Sequence, residues 1–295
     1  MTRPAGAAEN ERPRDLIVTA DDFGAAGEVN EAVEIAHRSG ILTAASLMVT
    51  APAAAEAAAV ARRNPGLAVG LHLVLVEGAP ALPAAEVPDL VDGDGRFRSD
   101  MAWAGATMVF NPAARRQLEA EIAAQFDAFA ATGLTLDHIN AHKHFHLHPT
   151  IAGLIAKIGA RHGLKAARVP IEPRRVLAAI EPEGAFPADP VVDLWAARTR
   201  RRFRRAGLLV PDQVFGLRWS GAMTAERLRG LIQNLPGGLS EIYLHPATAA
   251  GFDGAAAGYG YAEELAALIA PEVMDAANTS GARRGGFLDF VGSAA

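Results

Sequence analysis

Five of the nine histidines in this chain fall within eleven residues: His138, His142, His144, His146 and His148, in the string DHINAHKHFHLHP. Neutral imidazole is the commonest metal ligand near neutral pH. All five occupy even positions, so a backbone that stays extended would turn them to one side. The bland alternative is a histidine-rich surface loop, or core histidines with satisfied hydrogen bonds. A second candidate is the adjacent pair Asp21 and Asp22, directly after the apolar run LIVTA. Such a pair can cap a helix, but two carboxylates so close repel unless a cation offsets them. His72 lies inside LAVGLHLVL and His245 ends EIYLHP. One carboxylate with two imidazoles, and open positions for water and substrate, makes a hydrolytic metal site. The other aspartate is then free to act as general base. Lysine occurs only at 143, 157 and 165, which draws attention to Lys143 inside the histidine run.

The surrounding segments say how these residues could meet. DLIVTA (15–20), ASLMVT (45–50) and LAVGLHLVL (67–75) read as strands, separated by helical patterns ending at Gly40 and spanning 53–63. Strands alternating with helices argue a parallel sheet. Residues 76–112 lose periodicity and read as a long loop. A helix follows over 113–131, then a strand LTLDHIN, then a helix over 151–162 with Pro149 near its first turn. AARVP (166–170), QVFGLR (213–218), SEIYLHP (240–246) and GGFLDFV (285–291) read as strands, and 191–206, 224–234 and 261–279 as helices. Residues 171–190 are proline-rich and irregular. About seven strands alternating with helices suit an α/β fold: a distorted or incomplete (β/α) barrel with a mostly parallel sheet, or an open doubly wound sheet. In either, strand ends converge on one face. Asp21, Asp22, His72, His142 and His245 all sit at such ends.

Composition narrows the class. With 295 residues and 50% hydrophobic content, the chain can bury one barrel-sized core or two small ones. Its net charge of −5 argues against a nucleic-acid partner. The absence of cysteine excludes disulfides and thiolate metal sites. The first 13 residues read as a disordered tail with no signal peptide, and no apolar run reaches a membrane span. A cytoplasmic protein is expected. Six arginines between 198 and 205 mark one helix. The default reading is a solvated face, and the sharper one is contact with an anionic headgroup or phosphate.

Taken in order, LIVTADDFGAAGEVNEAV, TAASLMV, LAVGLHLVL, DHINAHKHFHLHP and EIYLHPA resemble the YdjC-like carbohydrate deacetylases, from about residue 14 to 291. The resemblance implies a single distorted barrel domain over 14–291, with insertions near 76–112 and 171–211. It implies removal of N-acetyl groups from amino sugars with one divalent cation, Mg2+ in preference to Zn2+. The implied ligands are Asp22, His72 and His142, and the implied base is Asp21. Members acting on chitooligosaccharides tend to read DSHHHVH where this chain has NAHKHFH, so Asn140 stands for an aspartate and Lys143 for a histidine. The form here looks like the hopanoid-biosynthesis branch. That branch implies an N-acetylglucosaminyl hopanoid as substrate, a glycolipid reached at the inner membrane surface. A homodimer is also compatible with the resemblance.

The expected mechanism is amide hydrolysis. Asp21 takes a proton from the attacking water, Lys143 helps stabilise the oxyanion, and His245 protonates the leaving amine. His144 and His146 could orient ligands from behind. His37, His138, His148 and His162 are expected to be structural or exposed. The rivals are a chitooligosaccharide deacetylase, another metal-dependent amidohydrolase or phosphoesterase, and a non-catalytic sugar- or metal-binding protein.

Overall fold

The computed structural model describes residues 12–184 and 186–292. The first strand, β1 (Arg14–Phe23), carries the run LIVTA and is buried along most of its length. It is followed by α1 (Gly27–Ser39), β2 (Ala44–Leu47), α2 (Ala54–Arg63) and β3 (Ala68–Leu73). Then come α3 (Met101–Phe110), α4 (Pro112–Ala131), the short β4 (Ile139–Ala141), α5 (Pro149–Gly159), α6 (Arg174–Ile180) and α7 (Pro190–Arg205). The chain ends with β5 (Gln213–Phe215), α8 (Ala225–Gln233), β6 (Gly238–Leu244), α9 (Tyr261–Ile269), α10 (Pro271–Thr279) and β7 (Arg283–Arg284).

The sheet order is β4-β3-β2-β1-β6-β5, with β7 beside the start of β1, and every strand pairing is parallel. The segment 166–171 joins the two outer strands. Ile139 N donates to Ala166 O, Arg168 N donates to Ile139 O, and Val214 N donates to Ile171 O. The sheet is therefore a distorted (β/α) barrel with a seam of single backbone bridges.

Local chemistry explains most boundaries. Asn111 caps α4, Asp189 caps α7 and Thr224 caps α8, each side-chain oxygen accepting from a first-turn N–H. Pro112 and Pro190 occupy the first helical turn, where a missing N–H costs nothing.

Several expectations are corrected. The loop at 76–112 contains α3, which is apolar all round and so shows no 3.6-residue pattern. Its start is marked only by Asp100, which accepts from Trp103 N. Within 171–190, residues 174–180 form α6. The helix expected over 261–279 is two helices, because Pro271 cannot donate to the preceding turn and starts α10 instead. The closing strand over 285–291 is a short 3₁₀ turn at Leu288–Phe290, preceded by the two-residue β7. The strand over 166–170 is reduced to the seam. Residues 1–11 of the expected tail lie outside the described residues. Its last two are part of the fold: Arg12 pairs with Asp212, and Pro13 O accepts from Gly238 N. Among the described residues no helix is long and apolar enough to cross a membrane.

Candidate functional site

In a regular strand Asp21 and Asp22 would face opposite sides. The register of β1 against β2 shifts between Ala20 and Phe23, and Asp22 takes a left-handed backbone with φ 59°. That irregularity turns both carboxylates into one cavity of about 1050 Å³ at the carboxyl ends of the strands. His72 on β3, His142 after β4 and His245 after β6 line the same cavity.

Asp22, His72 and His142 each place one ligand atom within 4.8 Å of the others. His72 Nε2 lies 3.2 Å and His142 Nδ1 3.1 Å from the same atom, Asp22 Oδ1. Burial opposes the Asp22 charge, but the two imidazoles outweigh it and hold the carboxyl well below its usual range. Burial also opposes a charged His142, and Asp22 outweighs that and shifts it up. Two imidazoles and one carboxylate, one of them deeply buried, are the donor set of a divalent-cation site with open positions. The donor chemistry fits a metal, and it fits zinc better than magnesium, which prefers oxygen ligands.

Asp21 is arranged differently. It is buried and held by Arg168, whose Nη2 donates to Oδ1 at 3.0 Å and whose Nη1 donates to Oδ2. Asn140 Nδ2 also donates to Oδ1, at 3.0 Å. Burial raises the carboxyl, but Arg168 and His72 outweigh it, so Asp21 stays ionised. Arg168 is itself fully buried and donates to Glu241 through Nε at 2.9 Å, while its guanidinium lies over the Tyr243 ring at 4.4 Å. Thr19 Oγ1 donates to Glu241 Oε1 as well. Sequence reasoning missed Arg168, Glu241 and Tyr243. The available signals were an arginine within AARVP and a glutamate within the apolar strand GLSEIYL, since a charge buried in a strand needs a partner.

The histidine run does not stay extended, contrary to expectation. Residues His142–Leu147 form a tight 3₁₀ turn, with Lys143 and His144 in the left-handed region at φ 53° and 54°. The five rings therefore diverge. His142 joins Asp22. His144 Nε2 lies 2.9 Å from the Tyr243 hydroxyl, which burial keeps as a phenol and so as the donor. His146 is buried in the interior, where burial and Arg168 push its pKa down to about 3. His148 packs edge-on against Trp195. His138 points back behind β3, where its Nε2 meets Ser46 Oγ at 2.9 Å. Of the other expected structural histidines, His37 contacts Leu42 O and His162 stacks on Phe126.

Lys143 reaches the cavity rim, where its Nζ pairs with Glu77. His245 is anchored by its backbone N–H to Glu264, and its ring lies between Tyr243 and Tyr259. Its Nδ1 is buried with no hydrogen-bond partner among the described residues. A second cavity of about 630 Å³ adjoins the first and shares Lys143, His144 and Leu217 with it. Its walls are apolar: Gly105, Val109 and neighbours on α3, Val191 and Trp195 on α7, and Phe145 and His148 from the run.

Curated relatives carry the name carbohydrate deacetylase. One from Brevibacillus brevis is 40% identical over 53% of this chain and 58% of its own length. One from Geobacillus stearothermophilus is 40% identical over 55% of this chain and 61% of its own. The matched segment thus spans about 58–61% of these relatives. A mouse protein of the same name is 32% identical over 78% of this chain and 77% of its own. A solved structure from Enterococcus faecalis V583, provisionally described as a cellobiose-phosphate cleavage protein, shares the fold with a TM-score of 0.74. It is 22% identical and covers 95% of this chain and 99% of that one. The YdjC-like protein family matches residues 15–279, from β1 through α10. The chain belongs to the YdjC-like protein family.

Proposed function

We propose that this chain is a carbohydrate N-deacetylase acting on an N-acetylglucosamine-containing glycoconjugate. The observation that carries the reading is the Asp22, His72 and His142 donor set beside a second, ionised aspartate in one large cavity. The names of the relatives support the choice of reaction. A divalent cation held by Asp22, His72 and His142 would act as a Lewis acid toward the acetyl carbonyl and make the attacking water more acidic.

The chain's own groups carry the proton. Asp21 accepts it from the attacking water on a carboxylate oxygen. Arg168 keeps Asp21 ionised at rest and, by the same contact, makes it a weak base. The proton therefore has to move on, to the leaving nitrogen. His245, with Nδ1 unpartnered and its ring in the cavity wall, is the candidate that delivers it. Lys143 can turn to the oxyanion only by leaving Glu77.

The finer reading is a glycolipid substrate, specifically an N-acetylglucosaminyl hopanoid taken from a membrane surface. The NAHKHFHLHP form of the histidine run and the apolar cavity beside the polar one support it. Acetate release from N-acetylglucosamine compounds, with and without EDTA, tests the reaction and its metal dependence. No release from any of them, with Zn2+ or Mg2+ supplied, would sink the deacetylase reading. Equal release from chitobiose and from a glycosyl hopanoid would sink the finer one.

A further inference from the structure

A histidine binds a cation only through its lone-pair nitrogen, and which nitrogen that is depends on what the other one meets. The surroundings of His72 decide it. Both oxygens of Asp21 accept from the Arg168 guanidinium, so this carboxylate can only accept hydrogen bonds. The atom of Asn140 that faces it at 3.0 Å must therefore be the amide nitrogen. The amide oxygen then faces His72 Nδ1 at 2.8 Å, so Nδ1 carries the proton. That leaves Nε2, which points at Asp22 Oδ1 at 3.2 Å, as the nitrogen that can take a cation in place of a proton donated to that carboxylate.

The same logic runs backwards into the protein. The second amide proton of Asn140 goes to Ser46 Oγ at 2.9 Å, so the hydroxyl accepts there. The Ser46 proton is left for His138 Nε2, also at 2.9 Å. The His138 proton must then sit on Nδ1, facing Asp137 Oδ2 at 2.9 Å. Asp137 also accepts from Phe287 N and Leu288 N, which anchors the far end to the C-terminal segment. Asp137, His138, Ser46, Asn140 and His72 are all at most 4% exposed. Every donor meets an acceptor in only one orientation, and turning the amide round would set its oxygen against the Asp21 carboxylate.

We propose that Asp137, His138, Ser46 and Asn140 form a one-way hydrogen-bond chain that holds His72 as its Nδ1-protonated tautomer, with Nε2 directed at the candidate metal position. They are positioning residues and touch no substrate. The chain gives His138 a role beyond packing, and it explains a glycine. A Cβ on Gly70 would lie 2.5 Å from the His138 ring, so the G-L-H spacing of β3 both seats His138 and presents His72. The proposal rests on the metal-centre reading for its consequence but not for its tautomer.

The test uses the full chain, 15N-labelled at histidine and stripped with EDTA, at about pH 8, where an ordinary imidazole is neutral. Long-range 1H–15N correlation reports which ring nitrogen is protonated, and the spectrum of His72→Gln assigns the signal. Wild type should show His72 protonated at Nδ1. Asn140→Leu should lose that single tautomer and weaken Zn2+ binding, read by calorimetry, about 10–100-fold. Ser46→Ala removes one interior hydroxyl with little risk to folding, and should weaken Zn2+ binding less than Asn140→Leu does. A wild-type His72 whose Nδ1 carries no proton would overturn the proposal. So would unchanged tautomer and Zn2+ affinity in both Asn140→Leu and Ser46→Ala. If wild type binds no Zn2+, the metal centre fails, and the tautomer still decides the chain.

Discussion

Two cavities meet at the turn of the histidine run, and they are built on opposite principles. In the larger one the buried charged groups are matched. Asp21, Arg168 and Glu241 form a buried triad, and Asp22 faces two imidazoles. Buried charges survive only when paired, and the pairing fixes their geometry before any ligand arrives. The smaller cavity has almost nothing to pair. It lies between α3 and α7, which also carry Trp103, Val109, Phe110, Val191 and Leu194, five of the six exposed large hydrophobic side chains among the described residues. Such walls are non-directional and discriminate by area alone. On the proposed reaction, the polar cavity would set which bond reacts, and the apolar one what can be attached to the sugar.

The strongest test of this division is metal removal. Chelation should reduce deacetylation to background for short and lipid-linked sugars alike, and added Zn2+ should restore it. Loss on one substrate class only would mean the two cavities are not one active site.

Next in size, Asp21→Asn should lower kcat about 10²–10⁴-fold on both classes while metal content stays full. Arg168→Leu should be worse for the fold than for any one substrate. It leaves Asp21 and Glu241 buried without their cation, at a cost of about 3–5 kcal/mol. Urea denaturation measures this, and a change under about 1 kcal/mol would show that the triad is not the anchor of the polar cavity.

The polar side should also be acid-labile. Burial and then Arg168 push His146 down to about 3 and hold His144 well below the ordinary range. A histidine whose folded pKa is depressed contributes stability that is fully present above the unfolded value, about 6.5, and is lost as pH falls toward the folded one. The melting temperature should therefore drop from about pH 6.5 downward. His146→Phe should flatten that slope relative to wild type. An identical slope in the variant would mean that His146 is not buried and neutral.

Smaller effects belong to the apolar cavity. Val109→Glu, on its rim, should cost about 10-fold in kcat/KM on a sugar with an apolar aglycone, the loss of roughly one buried side-chain contact. Chitobiose turnover should not move, and an equal loss on both would erase the division of labour. The smallest effect is expected from the arginine run. Arg200, Arg202 and Arg204 are bonded to Asp212 O, Pro149 O and the Asp212 carboxylate. Reversal is therefore best confined to Arg198, Arg201 and Arg205. It should weaken sedimentation with anionic liposomes at low salt and leave turnover of short sugars alone. Unchanged sedimentation returns the run to a solvated helix face.

The residue types of the candidate site were readable along the chain because ligand chemistry is local: Asp22, His72 and His142 are carboxylate and imidazole at the ends of apolar runs. The alternation of strands and helices was readable for the same reason, since burial on one face leaves a period. Helix α3 was not, because a helix apolar on every side has no period to read. The even spacing of the five histidines misled, because it carries meaning only if the backbone stays extended. Two left-handed residues, Lys143 and His144, end that extension and send the rings to different places. The partners of Asp21 and His72 were beyond reach as well. Arg168 is 147 residues from Asp21, and Asn140 is 68 from His72. By itself, the sequence determined which chemistry is available and that an α/β sheet must present it. The resemblance already separated Asp22 from Asp21, and the tertiary structure alone decided that Asp21 is locked to an arginine. Protonation, tautomer and charge pairing depend on neighbours within a few ångströms, and those neighbours are set by barrel closure rather than by spacing along the chain.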